Sequence, residues 1–221
     1  MTQSQPDGFL AVPPSGKGPS VLVLHASWGL NDTIKLFCTQ LAEAGFVIFA
    51  ADLYHGKVAA TISDAEVLGN AVDTNHLQAE AEIAEAAKYL NERVGQTDQG
   101  FAVVAFSLGA YYALNLAATH PEHIRSVVLF YGTDGTMGTD FSNSNAEYLG
   151  HFAENDEFES QSNVDSLEER LKRAGRPLTF YRYSGTGHWF FEPDRVDAYN
   201  EAAASLAWDR TLAFLKRPST S

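Results

Sequence analysis

A chain of 221 residues, 45% hydrophobic and 19% charged, is long enough to bury a substantial core and too apolar to stay disordered. Its net charge of −13 works against nucleic acid and anionic membranes, and its single cysteine, Cys38, excludes a disulfide framework and a thiolate-rich metal site. Met1 to Gly8 is polar and no apolar run reaches membrane-spanning length, so the expectation is a cytoplasmic protein of one domain over 1–221, monomer or homodimer, with no nucleic-acid or membrane partner.

Gly8 to Val12 reads as a short edge strand, closed by Pro13-Pro14 and the turn from Ser15 to Ser20. Val21 to Leu24 reads as a buried strand. It ends on His25-Ala26-Ser27-Trp28-Gly29, after which Asn31-Asp32 caps a helix running to about Ala44, with Cys38 as a structural thiol on it. Phe46 to Ala50 is the next strand and passes into the loop Asp52-Leu53-Tyr54-His55-Gly56. The segment Lys57 to Asn75 mixes small residues with scattered acids; a short helix over Ser63 to Leu68, serving as lid or pocket wall, is the expectation there. From His76 to Val94, Leu77, Ile83, Ala84, Ala87 and Leu90 recur at helical spacing, and Gly95 stops the helix.

Phe101 to Phe106 is an unbroken apolar strand that ends on Ser107, and a small, apolar helix follows to His120-Pro121. Ile124 to Tyr131 is a strand and Gly132 to Asn145 a loop. Ala146 to Ala153 is a strand, leading into Glu154-Asn155-Asp156-Glu157. A helix over Val164 to Ala174, with Asp165 as its cap, leads to the strand Leu178 to Tyr183 and the turn that delivers His188. The closing helix is expected from about Arg195 to Leu215, packing through Ala198, Ala202, Leu206, Leu212 and Phe214. Apolar strands alternating with helices point to an α/β fold with a mostly parallel sheet covered by helices on both faces. Such folds place their sites at the carboxyl ends of the strands.

A strand turning into a helix at a serine, flanked by the small residues Ala105 and Gly109, fits a nucleophile elbow, with alanine where that pattern has glycine. The plainer reading is a serine that caps its helix. The order Ser107, Asp156, His188 favours catalysis, because it is the order of a hydrolytic triad in α/β-hydrolases. A hydroxyl needs a base and histidine's pKa suits that work; a carboxylate on the far nitrogen holds the imidazole in one tautomer. His25 and His55 sit at strand ends but precede the elbow, His151 lies within a strand, and His76, His120 and His123 belong to surface. Glu154, Glu157, Asp134 and Asp165 stay open as alternatives to Asp156. The Leu108 backbone N–H would supply one oxyanion donor, and Ser27 or Trp28 a second; Trp28 is either pocket wall or core. No G-x-G-x-x-G follows the first buried strand and no ligand cluster suggests a metal, so no cofactor is expected.

Asp52-Leu53-Tyr54, the elbow, Asn155-Asp156-Glu157, Gly187-His188 and Ala207-Trp208-Asp209-Arg210-Thr211, in that order, make the chain resemble the dienelactone hydrolase family over nearly its whole length. The resemblance implies the α/β-hydrolase fold with about eight mostly parallel strands, no large cap domain, and hydrolysis of a small ester or lactone through an acyl-enzyme. It also marks three departures. The family's cysteine nucleophile is Ser107 here, its glutamate near the resting thiol matches Ala26, and an arginine that binds the substrate carboxylate matches Glu192. A carboxylate there argues against an anionic lactone, while Trp28, Tyr54, Trp189, Phe190 and Phe191 suit a neutral ester. A non-catalytic ligand-binding protein of the same fold and an acyltransferase are the competing readings.

Overall fold

Every residue of the strands β2 (Ser20–Leu24), β3 (Val47–Ala51) and β4 (Phe101–Phe106) is buried. Unbroken apolar runs require that environment, since neither face can tolerate water. The computed structural model describes residues 4–94 and 100–217. Around those strands it places β1 (Gly8–Ala11), β5 (Ile124–Phe130), β6 (Glu147–Ala153) and β7 (Leu178–Tyr183). The helices are α1 (Asp32–Glu43), α2 (Ile62–Thr74), α3 (His76–Val94), α4 (Leu108–Thr119), α5 (Gln161–Arg173) and α6 (Glu201–Leu215). The sheet runs in the order β1-β3-β2-β4-β5-β6-β7, seven strands among the described residues where about eight were expected. β1 is antiparallel to β3; β2 with β3, β5 with β6 and β6 with β7 are parallel.

The chain gathers into two compact units, Met1–Val103 and Val104–Ser221, with the boundary inside β4. In the first, α1 opens on Asn31, whose side chain accepts from the Ile34 N–H at 3.0 Å. Cys38 on α1 is fully buried, and burial pushes its thiol well above the ordinary range, which suits packing and not nucleophilic attack. α2 is longer than the expected Ser63 to Leu68. A reciprocal capping box between Thr61 and Asp64 starts it, and Ala65, Gly69 and Val72 bury one side. Its residues Leu68, Ala71 and Val72, with its C-cap Asn75, line a cavity of about 240 Å³ together with Leu53 and Tyr54. α3 buries Ile83, Ala86, Ala87 and Leu90, while Leu77 is exposed. Gly95, expected to stop α3, lies outside the described residues.

In the second unit, α4 buries seven of its residues, including Gly109, Ala110, Ala113 and Ala117, so its small side chains allow close packing. α5 starts earlier than expected because Ser160 caps it, accepting from the Asn163 N–H; Asp165 is inside the helix and pairs with Arg182 instead of capping. The closing helix begins at Glu201, not Arg195, with Asn200 as its cap. Its buried side follows Ala203, Ala207, Thr211 and Phe214, leaving Ala202 and Leu206 exposed. Among the described residues no domain-sized cap interrupts the strands, and no helix is long and apolar enough to cross a membrane.

Candidate active site

The chain reverses at Ser107 with φ 45° and ψ −112°, a conformation that a residue with a side chain rarely adopts. Two neighbours hold it there. The Ser107 N–H donates to the Phe130 carbonyl at 2.9 Å. Gly132, just past β5, leaves room for the turn: a Cβ at that position would stand 2.5 Å from the Ser107 carbonyl oxygen and 2.9 Å from its Cα. The turn therefore depends on a missing side chain in a neighbouring strand end.

The serine does not cap its helix. Its Oγ instead stands 2.9 Å from His188 Nε2. On the far side of the ring, Nδ1 lies 2.8 Å from each carboxylate oxygen of Asp156. A carboxylate only accepts, so Nδ1 carries the proton and Nε2 is left as the acceptor facing the hydroxyl. The side chains of His188 and Asp156 are 4% and 3% exposed, so this pair is shielded from water. Asp156 is fixed from behind as well, its Oδ1 accepting the N–H groups of Phe158 at 2.9 Å and Glu159 at 2.8 Å. The loop carrying His188 is tied to the loop carrying Asp156 through the Asn155 N–H and the Thr186 carbonyl, 2.9 Å apart. Leu108 is the first residue of α4, where the unpaired N–H groups and the helix dipole favour negative charge.

The alternative carboxylates are occupied or exposed. Glu154 accepts from the Gly185 N–H, Asp134 is bound to Arg170, Asp165 pairs with Arg182, and Glu157 is exposed. His151 is buried between the hydroxyls of Tyr183 (2.8 Å) and Thr211 (3.0 Å). Burial lowers its pKa to about 3, which keeps it neutral.

Several residues expected to line a pocket do something else. Phe190 is fully buried and packs on Tyr183 and Tyr131, at centroid distances of 5.0 and 5.7 Å, so it belongs to the core. Glu192 is also fully buried, and the Tyr131 hydroxyl donates to its Oε1 at 2.6 Å. With no exposed surface it presents no carboxylate to a substrate, and the argument against anionic lactones from its charge falls. Trp189 is half-buried, with a positive φ of 62°, and its ring lies 4.7 Å from that of Phe158 and 5.0 Å from His188.

In the first unit, Trp28 and Tyr54 are each 3% exposed, and Ser27 is half-buried. His25 is fully buried: its Nε2 accepts the Leu53 N–H at 3.1 Å, so Nδ1 carries the proton and donates to the Ala26 carbonyl at 2.7 Å. It ties the end of β2 to the loop after β3. His55, half-exposed, contacts Asp7 and Glu82.

Tyr131, Gly132 and Phe158 were not singled out from the sequence. Phe158 is 54% exposed although it lies 5.2 Å from the His188 ring. Its one sequence signal was an aromatic residue two positions past the acid. Gly132 directly after an apolar strand is a signal for close backbone approach that its place at the start of a polar loop conceals.

The sequence profile of the dienelactone hydrolase family matches residues 7–219. "Protein usf" of Aquifex pyrophilus is 32% identical over 213 residues, covering 95% of this chain and 92% of that protein. The carboxymethylenebutenolidase of Rhodococcus opacus is 25% identical over 223 residues, covering 92% and 82%. Among solved structures, a dienelactone hydrolase-like promiscuous phosphotriesterase from metagenomic libraries superposes with a TM-score of 0.80 at 18% identity, covering 90% of this chain and 86% of that one. At that identity the likeness is one of fold.

Proposed function

From the premise that the chain belongs to the dienelactone hydrolase family and is a carboxylic ester hydrolase, we propose that it cleaves small esters or lactones through an acyl-enzyme on Ser107. The observation that carries this reading is the Ser107 hydroxyl, which leaves its own helix uncapped and faces an imidazole whose other nitrogen is held by Asp156. His188 Nε2 takes the hydroxyl proton as Oγ attacks the carbonyl carbon, and the resulting imidazolium is stabilised by Asp156. The oxyanion is met by the Leu108 N–H. The second donor is assigned, on sequence alone, to Ser27 or Trp28. As the tetrahedral intermediate collapses, His188 returns the proton to the departing alkoxide oxygen. Water then attacks the acyl group, gives its proton to His188, and the proton goes back to Ser107 as the acid leaves.

A serine here is consistent with Ala26 in place of a carboxylate, because a hydroxyl activated by histidine needs no group to manage a resting thiolate. Neutral substrates are favoured by the Phe158–Trp189 pair beside the imidazole. We place the protein in the cytoplasm, as monomer or homodimer, on its composition. An organophosphonate should label Ser107 stoichiometrically, and Ser107→Ala should abolish p-nitrophenyl acetate cleavage. Wild-type turnover in Ser107→Ala would sink the assignment. Tight ligand binding with no turnover across a panel of neutral and anionic esters and lactones would favour a binding protein instead.

A further inference from the structure

Three aromatic rings surround the His188 imidazole: Tyr131 at 4.9 Å, Trp189 at 5.0 Å and Phe158 at 5.2 Å between centroids. They are anchored differently. Phe158 is more than half exposed, whereas Tyr131 is fully buried and its hydroxyl is held by the equally buried Glu192. The second oxygen of Glu192, Oε2, is buried without a hydrogen-bond partner. A carboxyl group in that state is costly, and a phenylalanine and leucine could fill the same volume without the cost. Tyr131 also takes a φ of 39°, unusual for a bulky residue, directly before the glycine that lies against Ser107. Its own N–H donates to the His151 carbonyl at 2.8 Å, so the backbone holds it in that conformation.

These features share one beneficiary. Asp156 fixes the imidazole through Nδ1, but a hydrogen bond at one edge leaves the ring free to tip about that contact. A neighbouring ring opposes the tipping, provided that ring is itself held, and Tyr131 meets the imidazole at an interplanar angle of 60°. We propose that Tyr131 and Glu192 are positioning residues for His188: the carboxyl group pins the phenol, and the phenol sets the imidazole plane so that Nε2 meets Ser107 Oγ. The inference rests on the serine-hydrolase reading above. It adds that the phenol ring lies within the reach of a cation–π contact to the imidazolium, so the support grows as His188 takes the proton. An interaction that strengthens with the transition state acts on kcat and leaves KM in place.

The test is a cycle of Tyr131→Phe, Glu192→Leu and the double variant, assayed on p-nitrophenyl acetate, with thermal midpoints and the rate of Ser107 phosphonylation measured alongside. Each single variant should lower kcat about tenfold with KM within about twofold. The double should be no slower than either single, because the two residues act as one unit. It also leaves no orphaned polar atom of the pair, so it stays folded if a single variant does not. A folded double variant with wild-type kcat overturns the inference, as does a loss confined to KM or losses that multiply. A wild-type protein that is neither labelled nor active overturns the serine-hydrolase reading and the inference with it. An active, labelled wild type with unchanged variants overturns the inference alone.

Discussion

His25 at the end of β2 and His188 beyond the end of β7 are both buried imidazoles with both ring nitrogens engaged, yet their partners differ in kind. His25 is bonded to backbone on both sides, donating to a carbonyl and accepting from an amide. Burial lowers its pKa, and its two hydrogen-bond partners are backbone groups that do not titrate. His188 has a carboxylate on one nitrogen and a hydroxyl on the other, so it has a partner that stabilises the added proton and a partner that can supply it. His151, between two hydroxyls and with no carboxylate among its hydrogen-bond partners, stays neutral like His25. Burial alone therefore says little about a histidine; the charge and mobility of the groups at its two nitrogens decide its role.

The largest effects should separate His188's partners from everything else. Ser107→Ala should lower kcat on p-nitrophenyl acetate by about 10⁴- to 10⁶-fold, and a fall of less than a hundredfold would place the nucleophile elsewhere. Asp156→Asn keeps the shape but can present the wrong tautomer to Nδ1, and a loss of about 10⁴-fold is expected. If that variant retains most of its activity, His188 is oriented by something other than the carboxylate.

A third prediction concerns Glu192. Burial raises its pKa from 4.5 to about 7. Between those values the folded state holds a proton that the unfolded chain has released, so stability falls as pH rises through the window and levels off above it. Glu192→Gln removes the titration, and the decline, on the order of 3 kcal/mol, should vanish from urea-denaturation midpoints taken between pH 4.5 and 7.5. An unchanged pH slope would mean that Glu192 is not a buried acid. The smallest effect sharpens the contrast among histidines: His151→Leu removes one hydrogen-bond partner from each of two hydroxyls and should cost about 1–3 kcal/mol. Its kcat should stay within a few-fold of wild type, and a loss comparable to that of Asp156→Asn would put His151 in the reaction.

The local pattern was enough to locate most elements. Continuous apolar runs marked β3, β4, β2 after Ser20 and β5 from Val127 on, because strands buried on both faces have no polar side to alternate with. Asn31 announced the start of α1 because its side chain can replace a missing backbone acceptor. The limits of α2 are poorly marked in the sequence because a helix of small residues carries little periodicity, and the acid of its capping box stands among other scattered acids. The start of α6 was placed six residues early, since the turns from 195 to 200 have helix-like composition and the true cap is Asn200.

By itself, the sequence determined which residues could be acid, base and nucleophile, because chain order and strand ends are properties of a linear pattern. Only the tertiary structure decided what each side chain faces. Ser107 could have capped its helix, and whether it does depends on a backbone angle that Gly132, 25 positions away, leaves room for. Glu192 read as a charge in a substrate pocket, and it is an interior group held by Tyr131. Burial and partner choice arise from contacts between distant segments, and no local pattern encodes them.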